Sequence, residues 1–337
     1  MNIVTAFKRR IVAPALYYSG FPFRSVQRGA RNVIFNYHGV VEDSTRRINN
    51  RHLSKSQFEK DLNFFNKRFT VVPLKEIFEH PSKQNDGGKA KLAITFDDGF
   101  ENNFKYAIPL LEKYNFPASI FVLSATLDDP LFVNWADLLD VIFAVKTPPK
   151  IDFLGLEFFR SDYGYYTRSI PIIALSDFIK DQGASRLEPL RQLARDLFSD
   201  GEVIKRFDDQ VKLMDADQIR ACGKNKLIEI GSHSRYHFNL GRIAVDLARL
   251  EMDNSKKELE SVLQKEVLSI AYPDGDYTDD VKGLAADVGY TRQLAVDFRL
   301  ASDPADLRIR QRFSYSNSTT HESNMVRLGL NWEKFSF

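Results

Sequence analysis

The 337-residue chain has a single cysteine, Cys222, and no long hydrophobic run. One thiol cannot form an internal disulfide, which excludes small disulfide-stabilised domains and favours a reducing compartment. No segment approaches the roughly 20 apolar residues of a membrane-spanning helix. A Gly-rich phosphate loop and the alternating carboxylates of a calcium loop are also missing. With 43% hydrophobic and 27% charged residues, the chain is expected to be a globular protein with a large core.

Residues 1–31 contain no acidic side chain but six basic ones, whereas the remainder holds 41 basic (47 minus 6) and 45 acidic residues. Apolar residues recur every fourth position from Ile3 to Ile11. This pattern predicts that residues 1–28 form a basic amphipathic arm on an anionic membrane, or a helix packed on the body. The expected location is cytoplasmic, with peripheral contact to the inner membrane face. Because the body is not basic, a nucleic-acid partner is not expected.

From residue 32 onward, short apolar runs alternate with helical patterns. Strands that alternate with helices favour a parallel sheet with helices outside. Counting six to eight such strands predicts an α/β fold, a distorted or incomplete (β/α) barrel over residues 29–320. An open doubly wound sheet is the alternative. Residues 321–337 are expected to form a C-terminal tail.

The alternation is interrupted at about residues 127–212. This segment predicts a mainly helical insertion over one end of the barrel, because a plain βα connection needs only a few residues. A hairpin is expected from Ile151 to Phe159. Leucines at helical spacing predict an amphipathic helix that extends to Phe198.

Two adjacent carboxylates end the apolar stretch "LAITFDDGF", which runs from Leu92 to Phe100. Leu92 to Phe96 predicts a strand buried on both faces. Asp97 and Asp98 then lie at the carboxyl end of a barrel strand, where such folds carry their chemistry. The alternative is a solvated Asp-Gly turn.

The stretch "IEIGSHSRYHFNL" repeats this arrangement with His233 and His237, four residues apart. A His pair alone is weak, since histidines also cap helices and fill cores. After a second barrel strand, however, both imidazoles reach the mouth that holds the carboxylates. One Asp with two His is a metal-ligand set with an open position for water, and the other Asp can serve as the base.

A third stretch, "SIAYPDGDY", ends an apolar run in Tyr272, Pro273 and Asp274. The proline predicts a rigid turn whose backbone N–H groups face the mouth. For the later aspartates, a turn and the start of the next helix are the favoured interpretation.

Together these three stretches resemble the NodB-homology polysaccharide deacetylases, carbohydrate esterase family four. "TFDDG" is similar to their first motif, "HSRYH" to their second and "AYPDGDY" to the Tyr-Pro-x-Gly form of their third. "YHGV" and "LMDADQIR" resemble segments of the branch that includes exopolysaccharide deacetylases. The resemblance covers about residues 30–315, apart from the insertion.

The resemblance implies a general base, Asp97, and a divalent metal, most simply Zn²⁺, held by Asp98, His233 and His237. It also implies that Tyr272, Pro273 and Asp274 form the substrate or oxyanion turn, with the N–H of Asp274 at the oxyanion. The implied reaction removes an acyl group, typically N-acetyl, from an amino sugar of an acetylated glycan or glycolipid. An O-acetyl esterase and a catalytically silent sugar-binding protein are the alternatives.

Two departures from the family pattern stand out. Ala271 occupies the place where many members have an arginine that steadies the base; Arg292, Arg310 and Arg312 are candidates to replace it. The late motif that supplies the general acid is also not evident. His38 is preferred over the isolated His321 as the acid because "NYHGV" ends a predicted strand.

Overall fold

The computed structural model describes residues 7–24, 32–79, 89–129, 132–145, 148–162, 164–198 and 201–330. The strands are β1 (Val33–Tyr37), β2 (Gly39–Val41), β3 (His52–Ser54), β4 (Thr70–Val71), β5 (Lys91–Phe96), β6 (Ala118–Val122), β7 (Lys150–Phe153), β8 (Leu156–Ser161), β9 (Gly164–Tyr166), β10 (Ile228–Ser232), β11 (Ser269–Ala271), β12 (Arg292–Ala295), β13 (Ile309–Gln311) and β14 (Phe313–Ser314). The α-helices are α1 (Ala13–Ser19), α2 (Lys55–Arg68), α3 (Leu74–Glu79), α4 (Ile108–Tyr114), α5 (Trp135–Val145), α6 (Leu175–Asp181), α7 (Leu187–Phe198), α8 (Gly201–Val211), α9 (Ala216–Lys224), α10 (Val245–Leu263), α11 (Asp279–Val288) and α12 (His321–Leu330).

Parallel strands in the order β13–β12–β11–β10–β6–β5–β1–β14 form the main sheet, and β4 pairs with β5 beside this path. Residues 309–314 act as one interrupted strand, since β13 pairs with β12 and β14 pairs with β1. This change of partner at Arg312 closes the ring. Within the described chain, β10 and β11 meet at the single pair Ser232 and Ile270. The predicted distorted (β/α) barrel is therefore confirmed.

Both faces of the barrel strands are buried, which explains their nearly continuous apolar sequences. In β1, all five residues are buried, and in β5 all except Lys91. The two strands pair in register, with Ile34 opposite Ala93 and Asn36 opposite Thr95. Ile34 and Ala93 belong to a core cluster with Phe121, Ala271 and Leu294. Asn36 and Thr95 lie two residues further along the same strand faces, so polar side chains begin towards the carboxyl end.

Side-chain caps fix the starts of several helices. The Ser54 hydroxyl accepts a hydrogen bond from the N–H of Gln57 and begins α2. Asp215 and Gln218 form a full capping box at α9. Thr278 caps α11 through the N–H of Val281. Each cap satisfies a backbone donor that the first helical turn leaves free.

The insertion forms a small layer with its own core. It contains α5 to α8 and the antiparallel sheet β7–β8–β9, which confirms the hairpin expected from Ile151 to Phe159. Trp135, Val141, Phe158 and Ile179 are buried in its cluster. The insertion rejoins the barrel at Leu213, which forms an isolated antiparallel β-bridge with Phe100.

Both described ends of the chain pack on the barrel. Ala13, Pro22 and Phe23 are buried. The segment contacts α12, where Gly329 lies so close that an added Cβ would be 2.7 Å from the carbonyl oxygen of Pro22. The described part of the predicted N-terminal arm therefore packs on the barrel through one of its faces. The predicted C-terminal tail contains a helix, α12. None of the described helices is long and apolar enough to cross a membrane.

Candidate active site

The three sequence stretches meet at the carboxyl ends of neighbouring parallel strands. Asp97 and Asp98 follow β5, and His233 follows β10. The Tyr272 turn follows β11. Since all these strands run parallel, their carboxyl ends form one mouth of the barrel.

A tight turn after β5 sends the two carboxylates in different directions. Asp98 has φ 67° and Gly99 has φ 73°. A Cβ on Gly99 would lie 2.7 Å from Cγ1 of Val122, so the glycine is needed for both space and conformation. The turn allows Asp97 to bind Arg312 while Asp98 faces the histidines.

Asp98, His233 and His237 form a buried cluster whose ligand atoms lie within 4.8 Å of one another. Oδ1 of Asp98 is 3.5 Å from Nε2 of His237 and 3.7 Å from Nε2 of His233. Nδ1 of His233 is 2.8 Å from the carbonyl oxygen of Ala271. A carbonyl can only accept, so Nδ1 carries the proton and Nε2 keeps its lone pair for a metal.

The electrostatics of this cluster fit a bound cation. Burial raises the pKa of Asp98 well above its usual range, and the nearby Asp137 and Asp97 raise it further. Burial also lowers the pKa of His233 and brings that of His237 to about 3. A divalent metal would stabilise the ionised Asp98 and the neutral imidazoles together. One carboxylate and two imidazoles are a donor set typical of transition metals with an open coordination position.

Asp97 is held by a buried guanidinium. Nη1 and Nη2 of Arg312 donate to its two carboxylate oxygens at 2.7 and 2.8 Å, and Nδ2 of Asn36 donates at 2.9 Å. Burial alone would raise the pKa of Asp97, but Arg312 outweighs it and holds that pKa well below its usual range. Arg312 also donates to Oδ1 of Asn36, which accepts a further bond from Thr95. The carboxylate is therefore ionised and fixed in orientation.

The three candidate arginines have different partners. Arg292 pairs with Glu229 at 2.7 Å. Arg310 donates to backbone carbonyls and lies over the ring of Phe78. Arg312 contacts Asp97 from the break between β13 and β14. Arg312 therefore orients the Asp97 carboxylate, as an arginine at the position of Ala271 does in many members of the family that the chain resembles.

His38 lies beside Asp97 at the barrel mouth. Tyr37 pairs in register with Phe96, so the two following residues are neighbours on adjacent strands. Burial lowers the pKa of His38 to about 4, although the charge of Asp97 acts in the opposite direction. His321 lies elsewhere, between Asp61 at 2.6 Å and the hydroxyl of Tyr17 at 3.1 Å.

The third motif forms a tight turn at Pro273–Gly275, with Asp274 at φ 56° and Gly275 at φ 64°. The side chain of Tyr272 is fully buried, and its hydroxyl donates to Oε1 of Gln293 at 2.8 Å. The part of the motif that borders the site is therefore Pro273 and Asp274. The Asp274 carboxylate lies 3.7 Å from Nζ of Lys180, which belongs to α6 of the insertion.

Two insertion residues that sequence reasoning missed also contact the cluster of Asp98, His233 and His237. Nδ2 of Asn134 donates to Oδ1 of Asp98 at 3.3 Å. NH2 of Arg186 donates to the carbonyl of His237 at 2.6 Å and to that of Tyr236 at 3.3 Å. Arg186 is only 1% exposed, and its guanidinium lies over the ring of Phe238. No sequence motif marks either residue, because both come from the irregular insertion.

Glu251 of α10 supports the same loop from the other side. Its Oε2 accepts the N–H groups of Arg235 at 3.2 Å and Tyr236 at 2.9 Å. The loop needs this support because Ser234 and His237 both have positive φ, at 66° and 56°.

The mouth of the barrel thus holds a carboxylate bound by Arg312 next to a buried Asp-His-His cluster, an arrangement suited to metal-assisted hydrolysis. A profile of the polysaccharide deacetylase family matches residues 84–147 and 192–293. This match confirms the resemblance to this family of hydrolytic enzymes that the three motifs indicate.

Among curated proteins, the chain is similar to a Staphylococcus aureus protein named poly-beta-1,6-N-acetyl-D-glucosamine N-deacetylase. The identity is 32% over 91 residues, which span 27% of this chain and 31% of the relative. Thus less than a third of the relative's length is matched.

Solved structures share the fold. Ammonifex degensii IcaB has a TM-score of 0.54 at 14% identity, covering 90% of this chain and 98% of that one. Streptococcus pyogenes deacetylase PplD, solved with acetate, has a TM-score of 0.52 at 16% identity, covering 88% and 96%.

Proposed function

We propose that the protein is a metal-dependent hydrolase that removes an N-acetyl, or similar acyl, group from an amino sugar. Asp97 is the base, and Asp98, His233 and His237 hold the metal, most simply Zn²⁺. The observation that carries this proposal is the divergence of two adjacent carboxylates. The Asp97 carboxylate is bound by the Arg312 guanidinium at 2.7 Å, whereas Oδ1 of Asp98 lies 3.5 Å from Nε2 of His237.

When bound, the divalent metal would supply Lewis-acid activation of water and of the acyl carbonyl. Asp97 accepts the proton of the attacking water, and Arg312 keeps its carboxylate ionised and oriented. The N–H of Asp274, in the rigid turn after Pro273, donates to the oxyanion as the carbonyl becomes tetrahedral. His233 is kept in the ligand tautomer by its bond to the Ala271 carbonyl at 2.8 Å.

The departing amine requires a proton, and His38 is the proposed donor. Because burial lowers its pKa to about 4, the imidazole is neutral in the resting protein at pH 7. His38 therefore has to receive a proton during the reaction. Its neighbour Asp97 can supply this proton, because Asp97 has taken one from the attacking water. In this scheme one proton moves from water through Asp97 and His38 to the amine.

The proposed substrate is an acetylated polysaccharide or a lipid-linked saccharide. The S. aureus relative is named for an N-acetylated glucosamine polymer, although the match covers only 31% of its length. Lys180 and Asn134 bring the insertion up to the mouth, where it borders the space for a sugar.

A peripheral membrane contact through residues 1–28, on the cytoplasmic face, belongs to the same proposal. Four large apolar side chains of the N-terminal segment are exposed by 54 to 77%: Phe7, Ile11, Tyr18 and Phe21. Phe7, Ile11 and Tyr18 are four and seven residues apart, which places them on one helix face. Exposed Lys8 and Arg10 flank this stripe, as anionic lipid requires.

The proposal is tested by measuring acetate release from N-acetylated and O-acetylated sugars in parallel. Release from the N-acetylated substrates that Asp97→Asn abolishes supports a deacetylase. Release from O-acetylated sugars alone would assign an esterase instead. Binding of these sugars without any release by the metal-loaded protein would indicate a silent sugar-binding protein.

A further inference from the structure

Helix α6 of the insertion places a lysine beside the third motif. Leu175 and Ile179 of this helix are buried in the core of the insertion. Lys180 follows in the last turn, and its ammonium lies 3.7 Å from Oδ2 of Asp274. The same ammonium lies 5.8 Å from the centre of the Trp135 ring, which belongs to the insertion core. Packing of the insertion therefore determines where this positive charge lies.

Two ion-pair contacts link α6 to the turn of the third motif. The first joins Lys180 to Asp274. The second runs from Asp181 to Arg242 at 3.2 Å and from Arg242 to Asp276 at 3.0 Å. Exposed ion pairs contribute little to stability, so the main effect of Lys180 is the charge that it places at the site.

Asp274 carries two groups with opposite effects on the proposed reaction. Its N–H is the proposed donor to the oxyanion, whereas its carboxylate places a negative charge next to that N–H. Burial alone would raise the pKa of Asp274, but His237 and Lys180 lower it, so the carboxylate is ionised at neutral pH. Its charge also reaches the buried Asp-His-His cluster, where it adds to burial and two other carboxylates in raising the pKa of Asp98. Without a compensating cation, this charge would oppose a negative oxyanion.

Lys180 is the cation that faces this carboxylate. Within the described residues, no other lysine or arginine forms an ion pair with Asp274. Arg186 also lies near Asp274, but its Nη2 is bonded to the carbonyl of His237 at 2.6 Å. The charge that offsets Asp274 therefore comes from α6 of the insertion, next to a motif that belongs to the barrel.

We propose that Lys180 is a positioning residue for the oxyanion: its ammonium offsets the Asp274 carboxylate, so that the N–H of Asp274 can bind the developing negative charge. The inference rests on the proposed deacetylase function, because the oxyanion forms only when an acyl group is transferred. It extends that function, because it makes a residue of the insertion part of the reaction. Lys180 itself exchanges no proton and forms no covalent bond.

The test measures the effect of Lys180→Met twice, in the unaltered chain and in Asp274→Asn protein. Acetate release from an N-acetylglucosamine oligomer is followed on metal-loaded protein. In the unaltered chain, kcat should fall roughly tenfold with little change in KM, because the oxyanion forms only in the transition state. In Asp274→Asn protein, which has no carboxylate charge to offset, the same substitution should lower kcat by less than about twofold. An equal loss in both proteins, or no loss in the unaltered chain, would overturn the proposal.

Two further variants separate the charge of Lys180 from its packing. Lys180→Arg keeps the positive charge and should retain most of kcat. Lys150→Met removes an ion-paired lysine of β7, 38% exposed against 27% for Lys180, and should change neither kcat nor KM. A loss in Lys180→Arg as large as that in Lys180→Met would refute the proposal, since the charge would then have no effect.

Zinc affinity separates this inference from failure of the proposed function. Competition with a chelating dye measures the affinity without any assay of activity. Lys180→Met should tighten zinc binding roughly threefold, because the charge of Asp274 near Asp98 is no longer offset. Loosening of the insertion would instead weaken zinc binding, through the lost contact of Asn134 with Asp98.

If no acetylated sugar is hydrolysed but Lys180→Met binds zinc more tightly, the proposed function fails and the charge-offsetting role of Lys180 stands. Unchanged or weaker zinc binding in Lys180→Met would refute this role, whatever the activity.

Discussion

Asp97 and Asp98 are adjacent in sequence, yet their surroundings shift their pKa values in opposite directions. Arg312 holds the pKa of Asp97 low, whereas burial and two neighbouring carboxylates raise that of Asp98. Asp97 is therefore ionised, as the proposed base has to be before it can accept a proton from water. Asp98 needs a cation to remain ionised. This contrast supports the two different roles proposed for identical side chains.

The first prediction separates these roles. Asp97→Asn should retain the metal and lose acetate release by roughly two to four orders of magnitude, because only the base is removed. Asp98→Asn should lose both the metal and activity. Elemental analysis and an acetate assay on the same samples measure the two quantities. If the two variants have the same metal content, the assignment of base and ligand is wrong.

A second prediction concerns Arg312. Arg312→Gln removes the cation that keeps the pKa of Asp97 low, so this pKa rises and the base becomes protonated at a higher pH. The acid limb of the kcat/KM profile should therefore move to higher pH. The variant should also lose about 3–5 kcal/mol of unfolding free energy, since the buried Asp97 carboxylate loses its ion-pair partner and keeps only the hydrogen bond from Asn36.

The double variant Arg312→Gln/Asp97→Asn provides the control for stability. Removing the charge of Asp97 as well should restore much of the lost unfolding free energy, as measured by denaturant titration. An acid limb that stays in place in the single variant would show that Arg312 does not tune the base.

The third prediction concerns Arg186, which holds the backbone carbonyl of a proposed ligand, His237, at 2.6 Å. Arg186→Met should weaken zinc binding roughly 10- to 100-fold, the usual effect of losing a group that orients a ligand. Competition with a chelating dye measures this affinity without any assay of activity. Arg195→Met, on the solvent-exposed part of α7, should leave the affinity unchanged. Unchanged zinc affinity in the folded Arg186 variant would contradict this role.

At the scale of elements, the strands and their motifs were predictable because both faces of the barrel strands are buried. The run from Leu92 to Phe96 could be identified from composition alone, and the polar residues after it then had to lie at the mouth. Asn36 and Thr95 are polar residues within otherwise apolar strands. Such residues indicate a polar site at the ends of these strands, and Asn36 does contact Asp97.

Local patterns could not select Arg312 from the three candidate arginines, and they gave no sign of Arg186. Arg312 reaches Asp97 because residues 309–314 change partner and close the ring, and this long-range pairing leaves no mark in a single sequence. Asn134 and Arg186 belong to an insertion whose packing on the barrel has no periodic signature.

The fourth prediction tests the N-terminal segment. Lys8→Gln/Arg10→Gln and, separately, Phe7→Ser/Ile11→Ser should reduce sedimentation with phosphatidylglycerol vesicles, because each removes charge or apolar area at the membrane surface. Binding of the unaltered protein should also weaken as salt is added. The substitutions avoid buried Phe23, so the fold is expected to be preserved.

Leu307→Ser is the matched control, since Leu307 is 64% exposed on another part of the surface. It should leave vesicle binding unchanged. Equal binding by all four proteins, or equal binding to neutral phosphatidylcholine vesicles, would refute a membrane contact through this segment.

At the scale of the whole molecule, the barrel supplies the reactive groups and the other parts fix their positions. The insertion contacts Asp98 through Asn134 and the His237 backbone through Arg186, so it belongs to the site as well as covering it. The closing strand contributes Arg312. The described N-terminal segment and α12 pack together on the outside of the barrel, where His321 binds Asp61.

The central claim is that Asp98, His233 and His237 hold a metal on which sugar deacetylation depends. Its most direct test is acetate release from an N-acetylglucosamine oligomer by chelator-treated protein while zinc is added stepwise. We expect almost no release without zinc and a rise that saturates at about one zinc ion per chain. His233→Ala protein should remain inactive throughout this titration. Full acetate release by the metal-stripped protein, or an unchanged titration in His233→Ala, would contradict the account.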